Sequence, residues 1–320
     1  MDYIQTIEEH YAIKVNDINL LESHFGTAVY CLTADHCKYI LKSYPLYMEN
    51  ARNEGYVAAF LISNGFRAAR FLRTYDGDYS VTTDQCIITL QEYIKGTTLQ
   101  VHSAPDWFIG ESARLLGKIN MILSNYGKLP LRFDRSFFSK DAALQKKTRY
   151  ENELLIAREK NDTRLASLME EQIRHLSRIS AFCIDTSALT YANSHGDYHI
   201  GQAIIDGKDI TIIDWASACK LPICLEVITS FVFASPKCRD GSVDAIDLKN
   251  YIKQYCRYFP LSAYDIQAMP YVLYFWHCMC NYAPQEDIPD SYKPISDFIQ
   301  KLLNWLFGNV EALSEDLCSL

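Results

Sequence analysis

Residues 191–225 read YANSHGDYHIGQAIIDGKDITIIDWASACKLPICL, and the fold of the whole chain turns on how this stretch is parsed. Two carboxylates stand out, Asp197 in His195-Gly196-Asp197 and Asp214 in Ile212-Ile213-Asp214-Trp215, with the amide of Gln202 between them. Asp206-Gly207-Lys208-Asp209 separates two apolar β-type runs, Gln202–Ile205 and Ile210–Ile213, which predicts a β-hairpin. A hairpin brings its outer ends together, so Asp197, Gln202 and Asp214 are expected near one another. A lone His-Gly-Asp also fits an ordinary turn. Its pairing with an aspartate seventeen residues later, across a hairpin, is far more specific.

Two carboxylates and an amide suit phosphoryl transfer from ATP: one orients an attacking hydroxyl and accepts its proton, and the others hold Mg²⁺ on the phosphates. Residues 195–215 resemble the signature of the aminoglycoside phosphotransferase and choline kinase superfamily, H-G-D-x-x-x-x-N followed by a hydrophobic strand ending I-D-[FW]. There is one departure, Gln202 in the usual Asn slot. Gln carries the same amide oxygen one methylene further out, so metal ligation remains open to it. The resemblance implies an α+β, bilobal protein kinase-like fold. Its small β-rich N-terminal lobe, residues 1–95, would bind nucleotide, and its larger helical lobe, residues 96–320, would carry catalysis and the acceptor. It further implies ATP and Mg²⁺, Asp197 as catalytic residue, and Gln202 and Asp214 as metal ligands.

The N-terminal part is read for what would serve that chemistry. A short helix is predicted near Tyr3–Tyr11, then strands at Thr27–Thr33 and Cys37–Ser43 joined at Ala34-Asp35-His36. A phosphate-covering loop is expected between Leu20 and Val29, where Gly26 is the only glycine. Side chains alternate along a strand, so Ile40 and Lys42 share a face. The resemblance makes Lys42 the binder of the α/β-phosphates and Ile40 a cap on the adenine; the alternative is a solvated edge-strand lysine, with Lys38 on the same face. Glu49–Asn64 reads as a helix with Tyr56, Val57, Phe60 and Leu61 as its apolar stripe and Asn64-Gly65 as its stop. The resemblance places the glutamate that fixes the lysine at Glu54, with Glu49 as the alternative. Strands are expected at Arg67–Thr74, Tyr79–Thr82 and Cys86–Ile94, and the last resembles the family's hinge, where the backbone of Glu92 to Ile94 would meet the adenine edge.

Helices are predicted after Ser103-Ala104-Pro105-Asp106, with a stop at Gly127, and as a pair over residues 137–183 parted near Asn161-Asp162-Thr163. Others are expected at Asp244–Phe259, at Met269–Tyr282 and at Pro294–Gly308, where Gly308 is taken as the cap. The residue 137–183 insert resembles one that walls the family's acceptor pocket. Trp215, Tyr274 and Trp276 offer candidate aromatic walls for a choline-like cation, and the overall acidity suits an aminoglycoside.

Composition narrows the function classes. The chain has 320 residues, 49% of them hydrophobic, enough for about two domains. Its net charge of −8 argues against a broad nucleic-acid or anionic-membrane surface. No stretch approaches the ~20 apolar residues of a membrane span. The 11 cysteines are scattered without any C-x-x-C, which suits reduced thiols and a cytoplasmic protein. Neither H-R-D, D-F-G nor A-P-E occurs, so a protein kinase is disfavoured. The expected function is an ATP- and Mg²⁺-dependent phosphotransferase acting on a hydroxyl of a small molecule, of aminoglycoside, choline, amino alcohol or sugar type. No nucleic-acid or membrane partner is expected, and the oligomeric state is left open. The alternative is a catalytically weak or inactive binding protein on the same fold, of the spore-coat-associated kind.

Overall fold

The computed structural model describes residues 2–24, 26–127, 129–280 and 292–319. In chain order the elements are α1 (Tyr3–His10), β1 (Val15–His24), β2 (Thr27–Ala34), β3 (Cys37–Pro45), α2 (Glu54–Ser63), β4 (Ser80–Thr82), β5 (Cys86–Glu92), β6 (Thr97–Thr98) and α3 (Asp106–Leu123). They continue as α4 (Lys140–Glu159), α5 (Thr163–Ile179), β7 (Tyr191–Ser194), β8 (Ala203–Asp206), β9 (Asp209–Ile212), β10 (Cys219–Pro222), α6 (Ile223–Ala234), α7 (Ala245–Tyr255), α8 (Ala263–Met279) and α9 (Lys293–Leu317). The fold is α+β, with an antiparallel sheet toward the N-terminus and helices predominating after it, and the chain divides into two compact units.

The first unit comprises Met1–Leu99, Lys118–Pro130 and Asn193–Lys220. Its main sheet runs β1-β2-β3-β5-β4, all antiparallel. Residues on one face of β2, β3 and β5, among them Leu32, Leu41, Ile88 and Leu90, close a core with Ile7 and Tyr11. The opposite face of β3 carries Lys42 and Tyr44, so the lysine is fixed in place by the same alternation that buries Leu41. The β2–β3 turn has Asp35 and His36 both at positive φ, 48° and 65°, the twist a tight hairpin requires. A smaller sheet, β6-β8-β9, contains the predicted hairpin, with Ala203 opposite Ile212 and Asp206 opposite Asp209.

Four expectations in this unit need correction. Residues 15–24 form β1, a strand the sequence did not suggest, so the segment from Leu20 to Val29 is mainly a hairpin turning at Gly26 (φ 83°). Phe25 within it lies outside the described residues. Arg67–Thr74 is not a strand: it makes isolated bridges at Ala68–Ile212 and Phe71–Gln91 only. Glu49–Asn53 is a separate 3-10 turn, and the α-helix begins at Glu54. In the first turn of that helix Gly55 packs directly on Tyr79: a Cβ there would stand 2.4 Å from the Tyr79 Cβ. Finally α3 ends at Leu123, four residues before Gly127.

The second unit comprises Gln100–Gly117, Leu131–Ala192 and Leu221–Leu320. Helices α4 and α5 form an antiparallel pair, split where Asp162 caps α5 by accepting from the Leu165 N–H at 2.9 Å. Helix α8 starts earlier than predicted, at a capping box of Ser262 and Asp265. Fully buried Asp265 also accepts from the Thr190 N–H (2.8 Å) and hydroxyl (2.6 Å). Tyr282, the expected end of this helix, lies outside the described residues. Gly308 does not cap α9; it sits inside it, because Val310, Leu313 and Leu317 continue the buried stripe for another two turns. Burial of three side chains outweighs the ~1 kcal/mol penalty of one helical glycine.

All eleven cysteines are free thiols. Among the described residues, no helix is long and apolar enough to cross a membrane.

The second unit also holds a pH sensitivity. His175, whose Nδ1 lies 2.7 Å from the Tyr274 hydroxyl, and His277 are both buried. Burial pushes His175 down to about 4 and His277 down to about 3. The unfolded chain takes up a proton at each from about pH 6.5 downward, whereas the folded chain does not until far lower. Their stabilising contribution is therefore complete above about pH 6.5 and is lost as pH falls through about 6.5 to 4, on the order of 2 kcal/mol each. The melting temperature is expected to fall by roughly 5–15 °C across that window. A flat profile in thermal circular dichroism would mean that these imidazoles are already charged in the folded protein.

Candidate active site

The residues picked out from the sequence converge within the first unit. Lys42, on β3, projects its ammonium between two carboxylates, 2.7 Å from Glu54 Oε1 and 2.7 Å from Asp214 Oδ1. Glu54 opens α2 and is fully buried. It accepts three further bonds, from the Tyr44 hydroxyl (2.8 Å), the Thr89 hydroxyl (3.3 Å) and the Trp215 N–H (3.2 Å). Four donors on one carboxylate satisfy a charge that would otherwise be too costly to bury. Burial pushes the Glu54 carboxyl up, and Lys42 works against that rise. Burial also opposes the charge on Lys42, but Asp214 and Glu54 outweigh it and hold the ammonium above its ordinary range. At Asp214 the same ammonium outweighs partial burial and holds the carboxyl below its usual value.

Asp214 reaches this position through its backbone. It lies at φ 67°, ψ 63°, a left-handed conformation that costs a non-glycine residue about 1–3 kcal/mol. That turn at the end of β9 swings the Trp215 N–H onto Glu54 and the Asp214 carboxylate onto Lys42. The side chain of Asp214 stays 37% exposed, against 0% for Glu54, so of the two it is the one open to its surroundings.

The His195-Gly196-Asp197 loop is held from three sides. Gly196 has φ 85°, and a Cβ there would stand 2.0 Å from the Ser217 carbonyl oxygen, so no other residue fits. His195 Nδ1 accepts from the Asp197 N–H at 3.3 Å, which leaves the ring proton on Nε2, 2.8 Å from the Ile213 carbonyl oxygen. The ring also packs on Trp215 at 4.6 Å between centroids. Burial lowers the His195 pKa, so the imidazole is a neutral brace between the loop and the segment after β9 that carries Asp214. Asn120 donates from Nδ2 to the Asn193 carbonyl (3.0 Å) and the Ser194 hydroxyl (2.6 Å), steadying the strand that leads into the loop. The Asp197 side chain is 51% exposed.

Gln202 stands beside Asp214 because its backbone is tied at both ends, N–H to the His199 carbonyl and C=O to the Ile213 N–H, each at 2.9 Å. Its amide nitrogen lies 3.4 Å from Asp214 Oδ2.

A model of the phosphotransferase enzyme family (APH) matches residues 17–257. The chain belongs to that family. By that membership it is a phosphotransferase. Among solved structures it resembles a spectinomycin phosphotransferase in complex with ADP and spectinomycin, at 11% identity over 98% of this chain and 97% of that one, TM-score 0.60. It also resembles an aminoglycoside phosphotransferase of Alicyclobacillus acidocaldarius (15% identity, 96% of each chain, TM-score 0.63) and a microcompartment-associated aminopropanol kinase (14%, 97% of each chain, TM-score 0.58). At these identities the likeness carries the fold, which is the bilobal, protein kinase-like one. No curated protein sequence matches the chain.

The phosphotransferase's remaining candidate residues are placed as follows. Ile40 is half-buried on the Lys42 face of β3. Glu92 ends β5, its N–H donating to the Arg70 carbonyl at 2.8 Å, and the neighbouring Tyr93 N–H donates to Lys38 at 3.2 Å; Ile94 follows, half-buried. Glu49 lies in the 3-10 turn and is exposed, so it is Glu54 and not Glu49 that meets the lysine. The proposed aromatic walls need correction: Trp215 is 1% exposed and Tyr274 0%, each in the core of its own unit. Tyr44 and Thr89 were missed in the sequence, although the strand period puts Tyr44 two residues from Lys42 and the β3–β5 register sets Thr89 opposite it.

Proposed function

We propose that this phosphotransferase moves the γ-phosphoryl group of ATP, with Mg²⁺, to a hydroxyl of a small-molecule acceptor of aminoglycoside, choline, amino alcohol or sugar type. The observation that carries this reading is the ammonium of Lys42 at 2.7 Å from both Glu54 and Asp214. Glu54 holds the lysine rotamer, so the ammonium is available to the α/β-phosphates. Residues 1–95 act as the nucleotide lobe, with Ile40 against the adenine and the Glu92 carbonyl and Ile94 N–H at its edge. Residues 96–320 carry the catalytic loop and the acceptor-binding elements. Asp197 aligns the acceptor hydroxyl and takes its proton.

The donor set fits a hard divalent cation. Asp214 and the amide of Gln202 are oxygen donors side by side, the type Mg²⁺ takes. Asp214 and Gln202 would hold the cation from the protein side, with oxygens of the nucleotide and of water supplying the remaining donors, as is usual for Mg²⁺ at nucleotide sites. When bound, the cation would supply neutralisation of the charge on the phosphoryl group. The protein's own part is to hold the phosphates, aim the hydroxyl and receive its proton.

Gln202→Ala is expected to raise the Mg²⁺ concentration needed for half-maximal activity, and Gln202→Asn to remain active, because Asn keeps a neutral oxygen donor. The measurement is a metal titration of the three proteins at saturating ATP. Identical curves for wild type and Gln202→Ala would leave Asp214 as the sole protein ligand. An ATP-consumption screen across amino alcohols, sugars and aminoglycosides identifies the acceptor class.

A further inference from the structure

His199 sits two residues after Asp197, and its imidazole is set with unusual care. Gly201 does not have a positive φ, yet a Cβ there would stand 2.8 Å from His199 Cε1 and 3.1 Å from Nδ1. The glycine is required to make room for the ring, not to permit a turn. The Gly201 N–H donates to Nδ1 at 3.1 Å. An accepting Nδ1 places the proton of the neutral ring on Nε2. That Nε2 lies 3.3 Å from the terminal nitrogen of Gln202, with Asp197 Oδ2 further off at 3.9 Å.

Gln202 therefore faces two neighbours with opposite demands. Its amide NH₂ toward Asp214 Oδ2, at 3.4 Å, gives a donor to a carboxylate. The same NH₂ toward His199 Nε2–H sets two donors against each other. Turning the amide over reverses both: Oε1 then accepts from His199, and it meets the Asp214 carboxylate oxygen to oxygen. Only a cation shared by the two oxygens relieves that second contact. The amide orientation and the occupancy of the metal site are thus coupled.

We propose that His199 is a positioning residue for the metal-binding amide, its Nε2–H donating to Gln202 Oε1 and favouring the orientation in which that oxygen also faces the cation beside Asp214. An amide oxygen has two lone pairs and serves both. The longer reach of Gln, relative to the Asn usual at this slot, is what brings the amide to the imidazole. This inference rests on Gln202 being a metal ligand, and the test separates the two.

The experiment measures Mn²⁺ affinity by electron paramagnetic resonance in the presence of a non-hydrolysable ATP analogue, at pH 8. Thermal melts establish that each variant is folded. His199→Phe keeps a planar ring without the donor and is expected to weaken Mn²⁺ binding about three- to tenfold, the worth of one ordinary hydrogen bond. His199→Gln, which restores an N–H donor, is expected to recover part of the loss. In a Gln202→Asn background the amide falls short of the ring, so His199→Phe is expected to change nothing further. Wild-type affinity in His199→Phe, alongside weakened binding in Gln202→Ala, would overturn the role of His199 and leave Gln202 as ligand. Unchanged affinity in Gln202→Ala would remove both. An undiminished effect of His199→Phe in the Gln202→Asn background would show that the imidazole acts through another group, and would also overturn the proposal.

Discussion

Asp197→Asn is expected to lower turnover by about 10²–10⁴-fold while leaving ATP binding nearly intact. The loop that presents Asp197 is shaped by Gly196, by the His195 imidazole and by the Asn120 amide, not by the Asp197 carboxylate, which is 51% exposed. Asn fits the same backbone and keeps one hydrogen-bonding oxygen, so the hydroxyl of the acceptor can still dock. What it loses is the capacity to take the proton as the phosphorus–oxygen bond forms. Single-turnover transfer from ATP, measured beside calorimetric ATP binding, separates the two effects. Turnover close to wild type would remove Asp197 from the chemistry.

Lys42→Ala is expected to cost both activity and stability. The substitution leaves Glu54 fully buried with Tyr44, Thr89 and the Trp215 N–H as donors but no counter-charge. Removing one partner of a buried pair typically destabilises by about 3–5 kcal/mol. Without Lys42, burial drives the Glu54 pKa further up. A carboxyl with a raised folded pKa binds a proton that the unfolded chain has already released. This group's contribution to the variant's stability should therefore be lowest above that pKa and recover as pH is lowered through it toward the ordinary Glu value of about 4.3. The double variant Lys42→Ala/Glu54→Gln, neutral at both positions, is expected to regain most of the stability in urea denaturation and none of the activity. Wild-type stability in the single variant would mean that Glu54 is protonated in the native enzyme.

Sequence alone determined the local parts of this protein. The hairpin over residues 203–212 follows from alternation and an Asp-Gly turn, the split of the charged insert from an Asp cap, and the fold class from two aspartates at kinase-like spacing. Each of these signals is written in contiguous residues, with a periodicity or a turn preference behind it. Strand β1 went unseen because its outward side chains are mixed and its strand character comes from pairing with β2. Gly308 looked like a cap because the decision belongs to the apolar residues beyond it, which have something to pack against.

The site itself was decided by tertiary structure. Lys42, Glu54 and Asp214 could be named separately, yet 12 residues separate the first two and 172 the lysine from Asp214. Nothing in the chain's local pattern could show that one ammonium meets both carboxylates at the same distance. The four donors on Glu54 are Lys42 and Tyr44 of β3, Thr89 of β5 and a backbone N–H made available only by the left-handed turn at Asp214. The burial of Trp215 and Tyr274, which withdrew them as ligand walls, was equally invisible, because an aromatic residue has the same sequence signature in a core as in a pocket. Periodicity is a property of neighbours along the chain, whereas charge pairing and desolvation depend on what the fold brings alongside, and only packing settles those.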